Sequence, residues 1–252
     1  MTIFITLLTI FVLLLSAACC AAFVMGRTAV ARMLEVAAWG TALALFVANG
    51  CLAQALPFGN MRHVLCFFPL VLAPASLYMR RWREVDLTAG FAVVGALAMI
   101  GALCMPMQAS WRQMPALQSP WFAPHVTSYV LAYGLLAVSF VYALLSFRRQ
   151  SSASHLRAAE AAARLAFPFL TFGLWSGALW ADAAWARYWA WDIKEVWALI
   201  TWCVYLLYFH LGRYGSVLVR RALLLAGFVA VLITFFVVNL LPNIVSVHSY
   251  AQ

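Results

Sequence analysis

Seven of the eleven tryptophans of this chain lie between Trp175 and Trp202, in a segment that also carries several charged side chains. Each indole ring needs an apolar surface, and its N–H needs an acceptor. Membrane proteins use tryptophans as interfacial anchors, but an anchor does not require seven of them in one segment. Flat aromatic rings beside Arg187, Asp192 and Lys194 predict a platform for a large, flat, partly anionic ligand. Haem is such a molecule.

Histidine is the usual protein ligand of haem iron, and the chain has five histidines. His125 begins one long apolar stretch, and His248 follows the last one by a few residues. Each alone is readily explained as an interfacial residue, but the two together beside the tryptophans predict a pair of axial ligands. His210 lies 15 residues beyond Glu195, about 22 Å along a helix. It is therefore expected toward the other half of a bilayer, where polar side chains tend to be functional.

The other two histidines and the cysteines predict no chemistry. His63 is interpreted as an interfacial residue at a helix start, and His155 as a solvated side chain of a basic loop. The six cysteines form no Cys-x-x-Cys pair, so haem is not expected to be covalently attached to this chain. We interpret all six as small buried apolar residues. No nucleophile triad or pair of carboxylates is evident, which favours ligand placement over acid–base catalysis.

The composition predicts an integral membrane protein. Hydrophobic residues make up 67% of the 252 residues, charged residues 9%, and the mean hydropathy is +0.95. Only helices or closed barrels span lipid, and the long apolar runs lack the alternation of barrel strands. The formal charge of +9 comes mostly from arginines in short patches between apolar stretches. Such patches set membrane topology, so no nucleic-acid partner is expected.

Eight apolar stretches approach the roughly 20 residues that cross a bilayer. They predict an all-α, polytopic membrane protein with about eight transmembrane helices in a single membrane domain over 1–252. The first stretch follows no positive charge and is long for a signal peptide, so a retained helix is expected. The stretches are 2–24, 34–55, 62–79, 87–105, 125–147, 164–182, 195–212 and 220–241.

The basic residues predict the orientation of these helices. Loops after the odd-numbered stretches hold twelve of the sixteen Lys and Arg residues, and the opposite side holds four. The positive-inside rule then places both termini and the Trp-rich segment 175–202 outside. An outer loop over 106–124 holds four prolines, which predicts irregular structure or a short interfacial helix.

The Trp-rich segment is also a recognisable motif. Residues 180–202 resemble the tryptophan-rich WWD signature of haem-handling cytochrome c assembly proteins. The form Trp191-Asp-Ile-Lys-Glu-Val-Trp197, followed by Tyr-Leu-Leu-Tyr-Phe-His210, is similar to the CcsA (ResC) branch of System II. The stretches 117–125 and 239–250 resemble those that lead to the family's two outer histidines, and Pro57-Phe-Gly-Asn-Met61 resembles its early loop.

The chain departs from the family pattern at a few positions. Ala186 and Ile193 stand where the family usually has Gly and Pro, and Arg62-His63 where it commonly has an aromatic residue and Glu. The first two leave the aromatic and charged side chains in place. The third puts any family role of the early loop in doubt.

The resemblance implies a haem–cytochrome c ligase (holocytochrome c synthase) of the bacterial inner membrane. It would bind haem b and, with a CcsB (ResB)-type partner, present it outside for attachment to the Cys-x-x-Cys-His of apocytochrome c. His125 and His248 would be the catalytic axial ligands. His210 would be an intramembrane ligand whose counterpart comes from the partner. The other implied cofactor-binding residues are Trp180, Trp185, Trp189, Trp191, Asp192, Trp197, Arg187 and Lys194.

Three alternatives remain at this point. Arg187 and Lys194 could bind haem propionates, or they could pair with Asp192 or Glu195. The whole protein could deliver haem to a chaperone, as CcmC-like proteins do. It could also be a haem-responsive regulator associated with tetrapyrrole synthesis, without ligase activity.

Overall fold

The computed structural model describes residues 1–106, 115–148, 152–211 and 214–237, and every regular element in these ranges is helical. Each of the eight predicted apolar stretches overlaps one α-helix, which confirms the all-helical class. A 3₁₀ helix at Pro115–Gln118 precedes α5, and a π-helix at Ile233–Val237 follows α8. The α-helices are α1 (Thr2–Val24), α2 (Thr28–Ala53), α3 (Met61–Trp82), α4 (Thr88–Cys104), α5 (Phe122–Leu145), α6 (Ser152–Trp185), α7 (Ile193–Leu211) and α8 (Val217–Leu232).

Five of these helices are long and apolar enough to cross a membrane, namely α1, α2, α3, α5 and α8 with its π-helical extension. The chain is therefore a multi-pass membrane protein. Helix α4 is apolar but has only 17 residues. Whether α4, α6 and α7 also cross, and on which side the termini lie, stays a prediction.

The chain forms two compact units, Met1–Met114 and Pro115–Gln252. In the first unit, α1 packs against α2 and α4, and α3 packs against α2 and α4. The expectation of a single membrane domain stays a prediction.

The Arg62-His63 pair lies in the interior of the first unit. Arg62 Nη1 donates hydrogen bonds to the carbonyls of Ala102 (2.7 Å) and Met105 (3.2 Å), so it satisfies acceptors that the end of α4 leaves open. The His63 side chain is buried, and its backbone N–H donates to Asn60 Oδ1 at 2.8 Å. His63 is therefore a buried residue of the first turn of α3, and its position relative to the membrane interface stays a prediction.

The cysteines are less uniformly buried than predicted. Cys19 and Cys66 are buried, but Cys51, Cys104 and Cys203 are exposed on their helices. A helix of a membrane protein presents apolar side chains to lipid as well as to its neighbours. For that reason an apolar stretch does not predict which of its residues face inward.

In the second unit, α5 and α6 share the most extensive interface, α8 packs against α5 and α7, and α7 packs against α6. Small residues allow α5 and α6 to approach closely. At one contact the Ser139 hydroxyl donates to the Ala159 carbonyl at 2.8 Å. Further along the same interface, His125 of α5 lies against Gly173 and Gly177 of α6.

The segment 152–163, predicted as a polar loop, is the beginning of α6. Alanine, the strongest helix former, fills much of it. Leu156, Ala159, Glu160 and Ala163 are buried with the i, i+3, i+4, i+7 spacing of one helix face. The loop prediction was wrong because the charges of this segment were interpreted as loop signals although the small residues between them form a helix.

His155 lies on this same helix and is not the solvated loop residue predicted. Its side chain is half-buried, its ring lies 6.0 Å from that of Tyr142, and its Nδ1 is buried with no hydrogen-bond partner among the described residues. One turn further, buried Glu160 pairs with Arg220 of α8 and, at 3.7 Å, with Arg164. The Glu160–Arg220 pair connects α6 with α8, and the Glu160–Arg164 pair lies within α6.

Candidate functional site

His125 is held by the backbone of the neighbouring helix. It lies in the first turn of α5, and its Nδ1 is 2.9 Å from the carbonyl oxygen of Gly173 on α6. A carbonyl oxygen only accepts hydrogen bonds, so Nδ1 is the donor in this contact. In the neutral imidazole the other nitrogen, Nε2, then carries the lone pair. An imidazole in this state can bind a metal through Nε2.

Trp180 supports the His125 ring from within the unit. The two rings stack with centroids 5.3 Å apart at 25°, and the Trp180 side chain is 2% exposed. Its Nε1–H donates to the Ala116 carbonyl at 2.7 Å, which ties the 3₁₀ helix to α6. Phe122 and Trp185 pack on the same indole at 5.2 and 4.9 Å. Because it is enclosed in this way, Trp180 supports His125 and offers no open face to a ligand.

Other tryptophans of the segment are accessible. Trp191 is 71% exposed and meets Trp189 edge-to-face at 5.8 Å. Trp175 is 54% exposed and meets Trp121 edge-to-face at 5.5 Å. The Trp189 Nε1 atom is buried and has no hydrogen-bond partner in the described part of the chain. This indole N–H therefore lacks an acceptor there, and because it is buried, an acceptor reaches it only if neighbouring side chains move.

The last two tryptophans lie on α7. Trp197 is half-buried one turn into the helix, and its carbonyl accepts the Thr201 hydroxyl at 2.8 Å. Trp202 Nε1–H donates to Thr171 Oγ1 at 3.0 Å, and its ring stacks on Phe167 at 5.8 Å. Trp202 therefore fastens α7 to α6.

Two left-handed residues shape the connection from α6 to α7. Ala186 has φ of 54°, directly after α6, and its N–H donates to Asp182 O at 2.8 Å. Trp191 has φ of 57°, shortly before α7. Glycine is favoured at the first of these positions. Ile193 is the first residue of α7, where proline fits without loss of a hydrogen bond. At both positions where the chain departs from the family pattern, the backbone conformation therefore explains why Gly or Pro is preferred.

The acidic residues of the motif build the start of α7. Asp192 Oδ2 accepts the Lys194 N–H at 3.2 Å, and Glu195 Oε2 accepts the N–H groups of Asp192 (3.2 Å) and Ala190 (2.8 Å). This arrangement is a variant of the capping box, in which Asp192 accepts the N–H of the second rather than the third helical residue. From the sequence, Asp192 was predicted to bind the cofactor, and Glu195 was named only as an alternative ion-pair partner of Arg187 or Lys194. The Asp-x-x-Glu spacing ahead of an apolar run was the signal for the cap.

The two cations of the motif differ in their surroundings. Arg187 is exposed. Lys194, which directly precedes the apolar stretch 195–212, is half-buried. Burial lowers the pKa of Lys194 from 10.5 to about 8, and the nearby Asp192 carboxylate opposes part of this shift. Lys194 is thus a cation at neutral pH, and the Asp192 carboxylate offsets part of the cost of its burial.

His210 lies in the last turn of α7, 17 residues after Ile193, or about 26 Å along the helix. Its side chain is exposed, and Nδ1 lies 2.8 Å from the Leu206 carbonyl. As in His125, the donor is Nδ1, and Nε2 carries the lone pair in the neutral ring. His248 lies outside the described residues.

Comparison with known proteins agrees with the family resemblance that the Trp-rich motif indicated. A family model described as "Cytochrome C assembly protein" matches residues 2–246. Among relatives named "Cytochrome c biogenesis protein CcsA", that of Chlamydomonas reinhardtii is 34% identical over 161 residues, covering 57% of this chain and 44% of the relative. That of Welwitschia mirabilis is 32% identical, covering 77% and 78%. That of Prochlorococcus marinus (strain NATL1A) is 31% identical, covering 77% and 76%.

Proposed function

Because the chain belongs to the cytochrome c assembly protein family, we propose that it is a haem–cytochrome c ligase. It binds haem b in the membrane and, together with a CcsB (ResB)-type membrane subunit, presents it at the extracytoplasmic face to apocytochrome c. Haem is its substrate and is passed on to the acceptor. The bacterial inner membrane is the proposed location, with the Trp-rich segment facing the periplasm or exterior.

One observation carries this proposal. The Nδ1 contact of His125 with the Gly173 carbonyl fixes the ring and leaves its lone pair on Nε2. Metal-binding histidines usually donate their other N–H to a carbonyl or carboxylate in this manner. His125 is accordingly one axial ligand of the outer haem, and His248 is proposed as the other.

The tryptophans divide into a support and a contact surface. Buried Trp180 holds the ligand ring, whereas exposed Trp191 and Trp175 present indole faces on which a porphyrin can pack. The Trp189 N–H and the Lys194 ammonium are donors suited to haem propionates, because charge-assisted hydrogen bonds orient a carboxylate. Trp185, Trp197, Arg187 and Asp192 are proposed as further members of the haem site.

His210 is proposed as the ligand of an earlier, intramembrane haem position. Its exposure on α7 is suited to an axial ligand that shares the iron with a residue of another subunit. Its Nδ1 contact with Leu206 O leaves Nε2 as the ligating nitrogen, as in His125.

The proposed chemistry is mainly placement. Each thioether forms when a thiol of Cys-x-x-Cys-His adds across a haem vinyl group. Sulfur–carbon and carbon–hydrogen bonds form, the S–H bond and the vinyl π bond are lost, and no oxidant is consumed. Orientation of two reactants can supply several kcal/mol of barrier reduction, on the order of 7–11 kcal/mol in the best intramolecular cases. Ligation from this chain fixes the iron while the vinyl edges stay accessible to the acceptor.

The test is covalent haem on a reporter. The full chain is co-expressed with a CcsB-type subunit and a Cys-x-x-Cys-His reporter, and haem that survives denaturing electrophoresis is measured. His125→Ala should abolish the signal, and His155→Ala, another half-buried histidine of the same unit, should retain it. Haem bound by the chain with no transfer to any reporter would favour a delivery role instead. Equal signals from the two variants would contradict the assignment of His125.

A further inference from the structure

Two glycines of α6, one helical turn apart, face the first turns of α5. A Cβ atom built on Gly177 would lie 2.7 Å from both Cε1 and Nδ1 of the His125 ring. Real Cβ atoms essentially never come within 3.0 Å of another heavy atom. The neighbour is a ring already held by a hydrogen bond and a stacked indole, so it cannot move aside cheaply. His125 therefore has its observed position only because residue 177 has no side chain.

The contact made possible by Gly177 is the one that sets the protonation pattern of His125. With no Cβ in the way, the imidazole lies directly on the α6 backbone, and Nδ1 reaches the Gly173 carbonyl at 2.9 Å. That carbonyl belongs to the backbone of α6, whose helical geometry fixes its direction. It therefore cannot turn toward a ring displaced from this position.

The ring is confined on its other sides as well. Trp180 stacks on one face at 5.3 Å, and the Tyr129 ring meets it edge-to-face at 5.0 Å and 83°. Gly173 leaves room for the Tyr129 ring in the same way, since a Cβ there would lie 3.0 Å from Tyr129 Cδ2. The two glycines thus have separate roles. Gly177 allows the close approach of His125 itself, and Gly173 allows the close approach of Tyr129, which borders His125.

We infer that Gly177 is a positioning residue that selects the Nδ1–H tautomer of His125 and so makes Nε2 the iron ligand. The inference rests on the proposed haem ligation by His125. A hydrogen bond from Nδ1–H to a carbonyl also makes the imidazole a stronger electron donor to the metal. A side chain at position 177 should displace the ring, break this bond and weaken or remove the ligand.

The test uses the purified full chain loaded with haem, with Gly177→Ala compared against Gly40→Ala. Gly40 is also a helical glycine, but a Cβ there meets nothing within 4 Å. We expect Gly177→Ala to lose about 10–100-fold in haem affinity, the usual effect of removing a hydrogen-bond partner of a ligand. Its absorption and electron paramagnetic resonance spectra should show loss of the low-spin species, and Gly40→Ala should match wild type. A wild-type affinity and spectrum for Gly177→Ala would overturn the inference.

His125→Ala separates this inference from the proposed function. If His125→Ala leaves the spectrum unchanged, the ligand assignment itself fails. If His125→Ala removes the low-spin species and Gly177→Ala does not, only the role of Gly177 fails.

A second measurement needs no glycine variant to fold. In haem-free wild-type protein labelled with ¹⁵N-histidine, solid-state NMR distinguishes the two tautomers, and the His125 signal is the one missing from His125→Ala. We expect an Nδ1–H, Nε2-unprotonated ring. Any other protonation pattern would overturn the inference.

Discussion

The capping box at the start of α7 gives the sharpest test of how the Trp-rich segment is held. Glu195→Ala removes the acceptor of two backbone N–H groups, those of Ala190 and Asp192, at 2.8 and 3.2 Å. Hydrogen bonds to charged groups contribute roughly 1.5–3 kcal/mol, and loss of a cap costs about 0.5–2 kcal/mol. The Glu195 side chain is only half-buried. We therefore assign about 2 kcal/mol to the two bonds together, in the range of those cap and hydrogen-bond values.

These two bonds fix the backbone on either side of Trp191, so their loss should loosen the accessible indoles. If haem binding must order the loosened loop, the full 2 kcal/mol is subtracted from the binding free energy. Haem affinity then falls by about 25-fold, at 1.4 kcal/mol per tenfold. The assay is titration of the purified full chain with haem, followed by absorption. Glu195→Gln is the matched control, because its amide oxygen still accepts, and it should lose less than about fivefold by the same conversion. Wild-type affinity for Glu195→Ala, or an equal loss in both variants, would refute the reasoning.

Three further predictions concern stability, each measured by thermal unfolding in detergent. Ala186→Gly relieves a left-handed backbone and should stabilise the fold by about 1 kcal/mol; an unchanged or lower Tm would contradict this. The folded-state pKa of Lys194 is about 8, below its ordinary 10.5, so folding is penalised while the side chain is charged. Stability should rise as pH increases from about 8 to 10.5, and Lys194→Gln should lack this rise; a rise that persists in the variant must have another source. Trp180→Phe keeps a ring against His125 but loses the N–H bond to Ala116, which should cost about 1 kcal/mol; a neutral result would show that the bond is dispensable.

The sequence predicted the helices well because lipid leaves a chain few other structures. Each apolar stretch overlaps a helix, and the errors lie at the ends. The start of α6 was missed because alternating alanines and charges resemble a polar loop until Leu156 and Glu160 are seen to share a buried face.

The candidate site was predicted only in outline. Residue types indicated His125 and the tryptophans, but not that Trp180 is a buried support and Trp191 an exposed surface. That distinction depends on Trp180 lying on the face of α6 that meets α5 and on Trp191 lying in the connection after α6, and seven tryptophans in one segment do not encode it. Gly177 was not predicted either, since a single glycine in an apolar helix has no meaning until the residue opposite it is known.

Ala186 and Ile193 were noted from the sequence as departures, but their consequence needed the backbone. The first lies at a left-handed position after α6 and the second at the first residue of α7. Only with these positions known does the preference for Gly and Pro acquire a physical reason.

The central claim is that the His125 imidazole binds haem iron. The most direct measurement is the absorption and electron paramagnetic resonance spectrum of the purified, haem-loaded full chain, compared with His125→Ala and with His155→Ala as the control. The account predicts a low-spin spectrum for wild type and His155→Ala, and loss of that species in His125→Ala. A low-spin spectrum that is identical in all three proteins would contradict it.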